Sequence, residues 1–227
     1  MLNYRVDPGI LQSFVPAGTE LDFFQDQTFI SVVGFQFQHT RVRGVAIPFH
    51  CNFAEVNLRF YVRRRGPEGW RRGVVFIREL VPRLAIALVA RMVYNEPYAA
   101  VPMRQRWDTA PAPGLRHTAA YSWKWRQTWN EMSITVQGEP QPMLRGSAAE
   151  FIAEHYWGYT AQRDGSTLEY QVEHPPWRVW LAEAASLTGD LRSCYGNTMG
   201  ECLQGPPSSA FLAEGSKVAV YGGARMA

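Results

Sequence analysis

Hydrophobic and polar positions alternate without a break through EVNLRFYVRRR, residues 55–65. Val56, Leu58, Phe60 and Val62 fall on one side of that pattern, and Glu55, Asn57, Arg59, Tyr61 and Arg63 on the other. Strict alternation with β-branched and aromatic members predicts a strand that lays one face on an apolar core. The second face meets either water or a cavity. In a cavity, a carboxylate, an amide and a guanidinium would converge at steps of about 7 Å, twice the rise per strand residue.

Similar patterns recur along the chain. TELDFF and TFISVVGFQFQHTRV flank the polar QDQ as a hairpin would, without the Asn-Gly that makes such turns easy. WRRGVVFIREL follows the turn RRRGPEG and reads as the partner of the strand at Glu55. YAAVPMRQRW, LRHTAAYSWKWRQ and NEMSITVQ are further strands, YWGYTAQRDGSTLEYQVEH turns on Asp164-Gly165, and SSAFLAE and SKVAVYGG close the chain. Helical signals are few. DPGILQSFVPAG gives one or two turns, and SAAEFIAEHYW starts with Ser147 and Glu150 in capping-box spacing. RLAIALVARMV, after Pro82, is apolar nearly all round and is expected to be buried. Many antiparallel hairpins with two or three helices predict an α+β fold, its large sheet curled into a barrel or cone, as one domain over residues 1–227.

Composition narrows the class without naming a chemistry. The chain has 227 residues, 46% hydrophobic and 19% charged, in the range of an ordinary globular domain. Its formal net charge is only +3, and Lys124 and Lys217 are its only lysines. No continuous basic face or recognisable module indicates nucleic acid as a partner. No apolar run is long enough to span a bilayer, and the N-terminal MLNYRVDPGI lacks the apolar core of a signal peptide. Cys51, Cys194 and Cys202 fit neither a disulfide framework nor a zinc pattern, and a reduced, cytoplasmic setting is expected. No Walker loop, dinucleotide glycine fingerprint or nucleophile elbow occurs. The five histidines show no metal-ligand spacing, although His155 and His174 lie at the outer ends of one hairpin. No cofactor and no metal are expected.

Several long segments, in order, carry a family resemblance: NYRVDPGILQSFVPAGTELD, ISVVGFQF, EVNLRFYVR, YNEPYAAVPM and FIAEHYWGYTAQRDGSTLEYQVEHPPW. Together they resemble the YqjF-like family of unknown function, over nearly the whole chain. Members of that family carry a short Trp- and Leu-rich piece ahead of the first segment; this chain begins almost at it, which leaves open whether the N-terminus is complete. The family is similar in turn to the acetoacetate decarboxylase-like superfamily. That similarity implies an antiparallel barrel or cone around an apolar pocket, a small-molecule ligand and, since those proteins assemble, a homo-oligomer of no fixed number. The decarboxylases place a glutamate at the start of the strand matching EVNLRFYV, which falls on Glu55. Their Schiff-base lysine matches the end of the helix after Pro82, where this chain has Tyr94, Asn95, Glu96, Pro97 and Tyr98. No lysine stands there. An arginine cannot substitute, because its guanidinium stays protonated, so Schiff-base decarboxylation of acetoacetate is not expected.

On the barrel reading, the Val56/Leu58/Phe60/Val62 face meets the helix after Pro82 and the Glu55/Asn57/Arg59 face lines the cavity. Glu55 is then a catalytic acid/base, and Asn57 and Arg59 bind substrate, with Tyr94, Tyr121, Trp123 and Tyr159 as further lining. Arg78 or Glu79 joins them from the next strand, in a register that the sequence leaves undetermined. Trp177 is expected to plug one end of the barrel. Two functional readings stay open. One is a pocket protein for a small organic acid or carbonyl compound, with lyase or hydrolase chemistry on Glu55 and Arg59. The other is a non-catalytic ligand-binding or regulatory protein that keeps the barrel without the chemistry. For the strand face itself, the alternative to a substrate site is a structural ion pair between Glu55 and Arg59.

Overall fold

The computed structural model describes residues 1–42, 45–46, 52–93, 95–109 and 116–226. Tyr94, His50 and Cys51 lie outside the described residues. The chain opens with β1 (Leu2–Val6), α1 (Pro8–Leu11), β2 (Glu20–Leu21), β3 (Thr28–Phe37), β4 (Arg41–Val42) and β5 (Val45–Ala46). The long hairpin β6 (Phe53–Gly66) and β7 (Gly69–Val81) follows, then α2 (Leu84–Val93), β8 (Tyr98–Ala100) and β9 (Met103–Thr109). Next come β10 (Arg116–Trp125), β11 (Thr128–Gln137), β12 (Gln141–Pro142), α3 (Ala148–Ala153), β13 (Trp157–Ala161) and β14 (Thr167–Glu173). The last part holds β15 (Arg178–Thr188), α4 (Leu191–Tyr195), α5 (Asn197–Cys202), β16 (Ser209–Ala213), β17 (Ala219–Val220) and β18 (Ala224–Met226).

The local signals explain most of these elements. Asp7 caps α1 by accepting from the Gly9 amide, and Ser147 caps α3 by accepting from the Glu150 amide. The hairpin into β3 turns through Gln25 and Asp26 at φ of 50° and 60°. Those are left-handed conformations that tight hairpins usually give to Asn-Gly. At the β13–β14 turn Gly165 takes φ +82°, and the Asp164 carboxylate accepts from the Ser166 amide at 3.1 Å.

One main sheet runs in the order β17-β14-β13-β7-β6-β3-β1-β16-β15-β11-β10-β9. Of its pairings, β13–β7 and β7–β8 are parallel. The terminal strands β9 and β17 are not paired to each other among the described residues, so of the expected barrel or cone the structure shows a large curled sheet that is not closed into a barrel. It folds over one large core. Leu2, Tyr4, Ile30, Val32, Val56, Leu58, Phe60, Val62 and Leu80 meet Tyr121, Trp123 and Met132 of β10 and β11, together with Leu191, Cys194 and Tyr195 of α4. Leu58 is fully buried there, and truncating it to Ala would cost about 3 kcal/mol. No helix among the described residues is long and apolar enough to cross a membrane.

The two faces of β6 are reversed relative to the sequence expectation. The Val56/Leu58/Phe60/Val62 face turns into the curled sheet. The other face lies under the helices: Tyr61 packs with Phe151 and Ile152 of α3, and Phe53 with Val81 of β7 and Ala87 of α2. Helix α2 is also less buried than its composition predicts, since Leu84 and Leu88 are exposed while Ala87 faces the strands. A helix laid on the outside of a sheet needs only one covered stripe. Trp177 does not plug the sheet; it is half-buried at the surface, where it stacks on His174 at 4.1 Å and donates to the Ser216 hydroxyl at 2.8 Å.

One irregularity fixes the neighbours of β6. Leu58 pairs with Arg78 but Arg59 pairs with Phe76, so the ladder passes over Ile77 as a β-bulge. The bulge puts Glu79 opposite Asn57 and Val75 opposite Phe60. Were Ile77 threaded into the ladder without a bulge, plain alternation would send Glu79 and Val75 to one face.

A buried carboxylate cluster as candidate functional site

Glu55 enters β6 opposite Phe35 of β3, and Asn57 lies two residues on, opposite Val33 and Glu79. Glu55, Asn57 and Glu79 are each 1% exposed. The Asn57 amide donates to Glu55 Oε1 at 3.1 Å and the Tyr98 hydroxyl to Glu55 Oε2, also at 3.1 Å. Tyr98 is placed by β8, which pairs in parallel with β7 and sets Tyr98 opposite Glu79. Glu96, just ahead of β8, is also buried and accepts from the Tyr170 hydroxyl of β14 at 2.7 Å. Glu79 Oε2 is buried with no hydrogen-bond partner. Three carboxylates thus approach one another in a site otherwise built of hydroxyls and one amide.

The electrostatics follow from burial. Removal from water pushes the Glu55 carboxyl up to about 7; the Asn57 and Tyr98 hydrogen bonds oppose the rise, the Glu96 charge adds to it, and Arg59 opposes it weakly. Burial likewise raises Glu96 to about 7, against hydrogen bonds from Tyr170 and Thr160. Glu79 is raised well above the usual carboxylate range, by burial first and then by the charges of Glu96 and Glu55. No ion pair joins any of the three to a cation among the described residues. Burial thus holds all three carboxyls above the usual carboxylate range.

Arg59 continues the same face toward α3. Its guanidinium donates to the Ile152 carbonyl at 3.3 Å and lies 5.6 Å from the Tyr61 ring centre, while its Nε is buried without a partner. Arg59 and Glu55 do not form the structural ion pair that one reading of the sequence required: Glu55 is held by Asn57 and Tyr98, and Arg59 by a backbone carbonyl.

The structure brings Glu55 and Asn57 together, with Arg59 two residues further along the same face, and separates Tyr121, Trp123 and Tyr159 from them. Tyr121 and Trp123 belong to the core on the opposite side of β6, where the Tyr121 hydroxyl and the Trp123 indole nitrogen are buried without partners. Tyr159 donates to Glu169 Oε1 at 3.0 Å, and that carboxylate is also held by Arg64 and Arg71 at 2.8 and 2.6 Å. Arg78 stacks over Trp125, 4.7 Å from the ring centre, away from the cluster. His155 and His174 do not meet: His155 lies against Asp22, and His174 against Tyr156 and Trp177. Among the described residues no group of three His, Cys, Asp or Glu is arranged to hold a metal ion. Cys194 and Cys202 are free thiols.

Sequence reasoning did not single out Glu96, Tyr98 and Tyr170. Glu96 and Tyr98 stand in the YNEPY segment where a lysine was sought, and two polar residues flanking a proline there were the available signal. Tyr170 comes from a remote hairpin and left no mark of its role.

Comparison with known proteins places the chain. The model of a family described as "uncharacterized conserved protein" matches residues 1–217. The uncharacterized protein YqjF of Bacillus subtilis is 27% identical over 206 residues, spanning 88% of this chain and 79% of that protein. Among solved structures, the enduracididine biosynthesis enzyme MppR complexed with pyruvate aligns with a TM-score of 0.61 at 18% identity, over 98% of this chain and 83% of that one. An acetoacetate decarboxylase-like enzyme from Sphingomonas wittichii aligns with a TM-score of 0.60 at 15% identity, over 99% and 89%. The chain has the acetoacetate decarboxylase-like fold and belongs to the uncharacterized conserved family whose model spans its first 217 residues.

Proposed function

We propose that this protein binds a small organic acid or carbonyl compound and carries out acid–base chemistry on it without a covalent amine. The observation that supports this reading most is the Glu55/Glu79/Glu96 cluster: three buried carboxylates, no cation paired with them among the described residues, and two groups pushed up to about 7. In the proposed reaction the Glu55 carboxylate takes a proton from the carbon next to the substrate carbonyl. The electron pair moves onto the carbonyl oxygen, and Arg59 stabilises the charge that develops there. Collapse of the enolate then returns the proton or expels a leaving group, as in a lyase. Asn57 and Tyr98 hold the Glu55 carboxyl in place. That a structural neighbour is described in complex with pyruvate supports the choice of ligand class.

The alternative reading, a non-catalytic binding or regulatory protein, is favoured by the absence of a lysine in the segment that resembles the Schiff-base region. One experiment separates the two. The protein is incubated with pyruvate, 2-oxobutyrate or acetoacetate in D₂O, and loss of the proton signals next to the carbonyl is followed by NMR for wild type, Glu55→Gln and Arg59→Ala. Melting curves are recorded in parallel. Exchange above the buffer rate that disappears in Glu55→Gln supports the catalytic reading. Stabilisation without exchange supports the binding protein. No exchange and no stabilisation across the panel overturns both.

A further inference from the structure

A cleft of about 290 Å³ opens on the other side of β3 and β6 from the carboxylate cluster. Gln36 lines it, next in sequence to Phe35, the residue paired with Glu55, and therefore points to the opposite face of the sheet. The remaining lining comes from Gln38, His39, Asn52, Gln105 and Trp107. Among these described residues no side chain carries a permanent charge; four are amides and one is an indole. Asn52 Oδ1 accepts from the His39 amide at 2.8 Å, which holds His39 in a left-handed turn at φ 54°. Gln36 Oε1 is buried and has no hydrogen-bond partner.

Trp107 is 47% exposed, an unusual state for so large an apolar ring. It is not loose. Its edge packs on Tyr121, with ring centres 5.9 Å apart and planes at 83°. Tyr121 in turn pairs across the strands with Gln105, and its hydroxyl is buried without a partner. Gly34 leaves the room for Tyr121, since a Cβ there would lie 2.7 Å from Tyr121 Cδ2. The exposed indole is thus backed on one side by Tyr121, with amides around it from three separate stretches of chain.

We infer that this cleft binds a neutral polyhydroxylated ring of monosaccharide type, its apolar face on Trp107 and its hydroxyls on the Gln36, Gln38, Asn52 and Gln105 amides. Each amide offers both donors and an acceptor, which matches hydroxyls that also do both. The lack of charge among the described lining residues selects against carboxylate and phosphate ligands. A nucleobase presents its polar atoms only in its ring plane, whereas amides arriving from several directions suit hydroxyls that point several ways. The volume is at the lower limit of small-molecule sites and fits one ring rather than a chain of sugars. This inference is independent of the chemistry proposed for Glu55.

The test is saturation-transfer NMR on the full chain with methyl glucoside, methyl galactoside, uridine and adenosine, followed by titration of any ligand that binds. A methyl glycoside should bind with a Kd in the millimolar range. Trp107→Ala and Gln105→Leu should each weaken it about tenfold or more, while Glu55→Gln leaves it unchanged. Trp107 is exposed, so its replacement leaves the fold intact, and circular dichroism checks this. Glycoside binding that ignores Trp107→Ala, binding of nucleosides in preference, or no binding at about 100 mM glycoside overturns the inference.

Discussion

At the Glu55 end of β6, three carboxylates are buried and, among the described residues, meet hydroxyls and an amide but no cation within ion-pair distance. At the Tyr61 end of the same face, Asp22 is buried between the Arg72 guanidinium, at 2.6 Å, and the His155 imidazole, at 3.5 Å. Burial alone would raise the Asp22 carboxyl, but hydrogen bonds from His155 and Arg72 outweigh it and hold Asp22 below its usual value. Burial drives His155 down to about 4, so it is neutral at pH 7 despite the nearby carboxylate. Both regions keep polar groups out of water, and only the second compensates the cost with an opposite charge. An uncompensated cluster destabilises the fold at neutral pH, and it is the arrangement expected where proton transfer rather than stability is the use. The Asp22 group reads as structural, and the Glu55 group is the one for which a function is proposed.

The largest expected effect lies on activity. Glu55→Gln should lower proton exchange on the substrate by at least about 100-fold, the usual weight of a general acid or base. Asp22→Asn, in the fraction that folds, should leave exchange unchanged. If the two variants lose activity alike, the contrast between the regions fails. On stability the order is inverted. Asp22→Asn leaves Arg72 without its partner and should cost about 3 kcal/mol in urea unfolding, whereas Glu55→Gln should be nearly neutral or stabilising at pH 8.

The pH dependence of stability comes next. The cluster carboxyls have folded values above the usual 4.5, so their contribution is complete below pH 4.5 and is lost as pH rises through about 7. His155 acts with the opposite sign: its folded value of about 4 lies below the usual 6.5, so its contribution is present above 6.5 and lost as pH falls through 4. Several carboxyls outweigh one imidazole, and melting should peak at about pH 5 and fall by about 5 °C or more by pH 8. Glu79→Gln should flatten that fall; a wild-type maximum at pH 8 would contradict the proton-holding cluster. The smallest effect is at Tyr98. Its hydrogen bond favours the charged form of Glu55, so Tyr98→Phe should raise the pKa seen in the exchange profile by less than about one unit, equivalent to roughly 1 kcal/mol.

The contrast was only half legible in the sequence. The alternation of residues 55–65 gave the strand and identified its polar face, and the Asp164-Gly165 and Ser147/Glu150 signals located a hairpin and a helix start. Periodicity says that a strand has two faces and does not say what covers each. Val56 and Leu58 therefore looked like the helix-facing side until packing showed Ala87 and Ile152 over the polar one. Glu96 and Tyr170 meet because β13 and β14 lie beside β7, a long-range pairing with no local trace. Tyr121 looked like lining for the Glu55 site and instead supports Trp107 on the opposite face.

The extra residue at Ile77 makes the two strands of the long hairpin unequal in their tolerance of deletions. A chain lacking Ile77 would regain an even ladder, with Glu79 still opposite Asn57 and Val75 still opposite Phe60. A chain lacking Leu58 would rotate Glu55 and Asn57 by one step against the rest of β6 and send their side chains into the apolar core. Length variation among related chains would therefore be absorbed in β7, while β6 would keep a constant count.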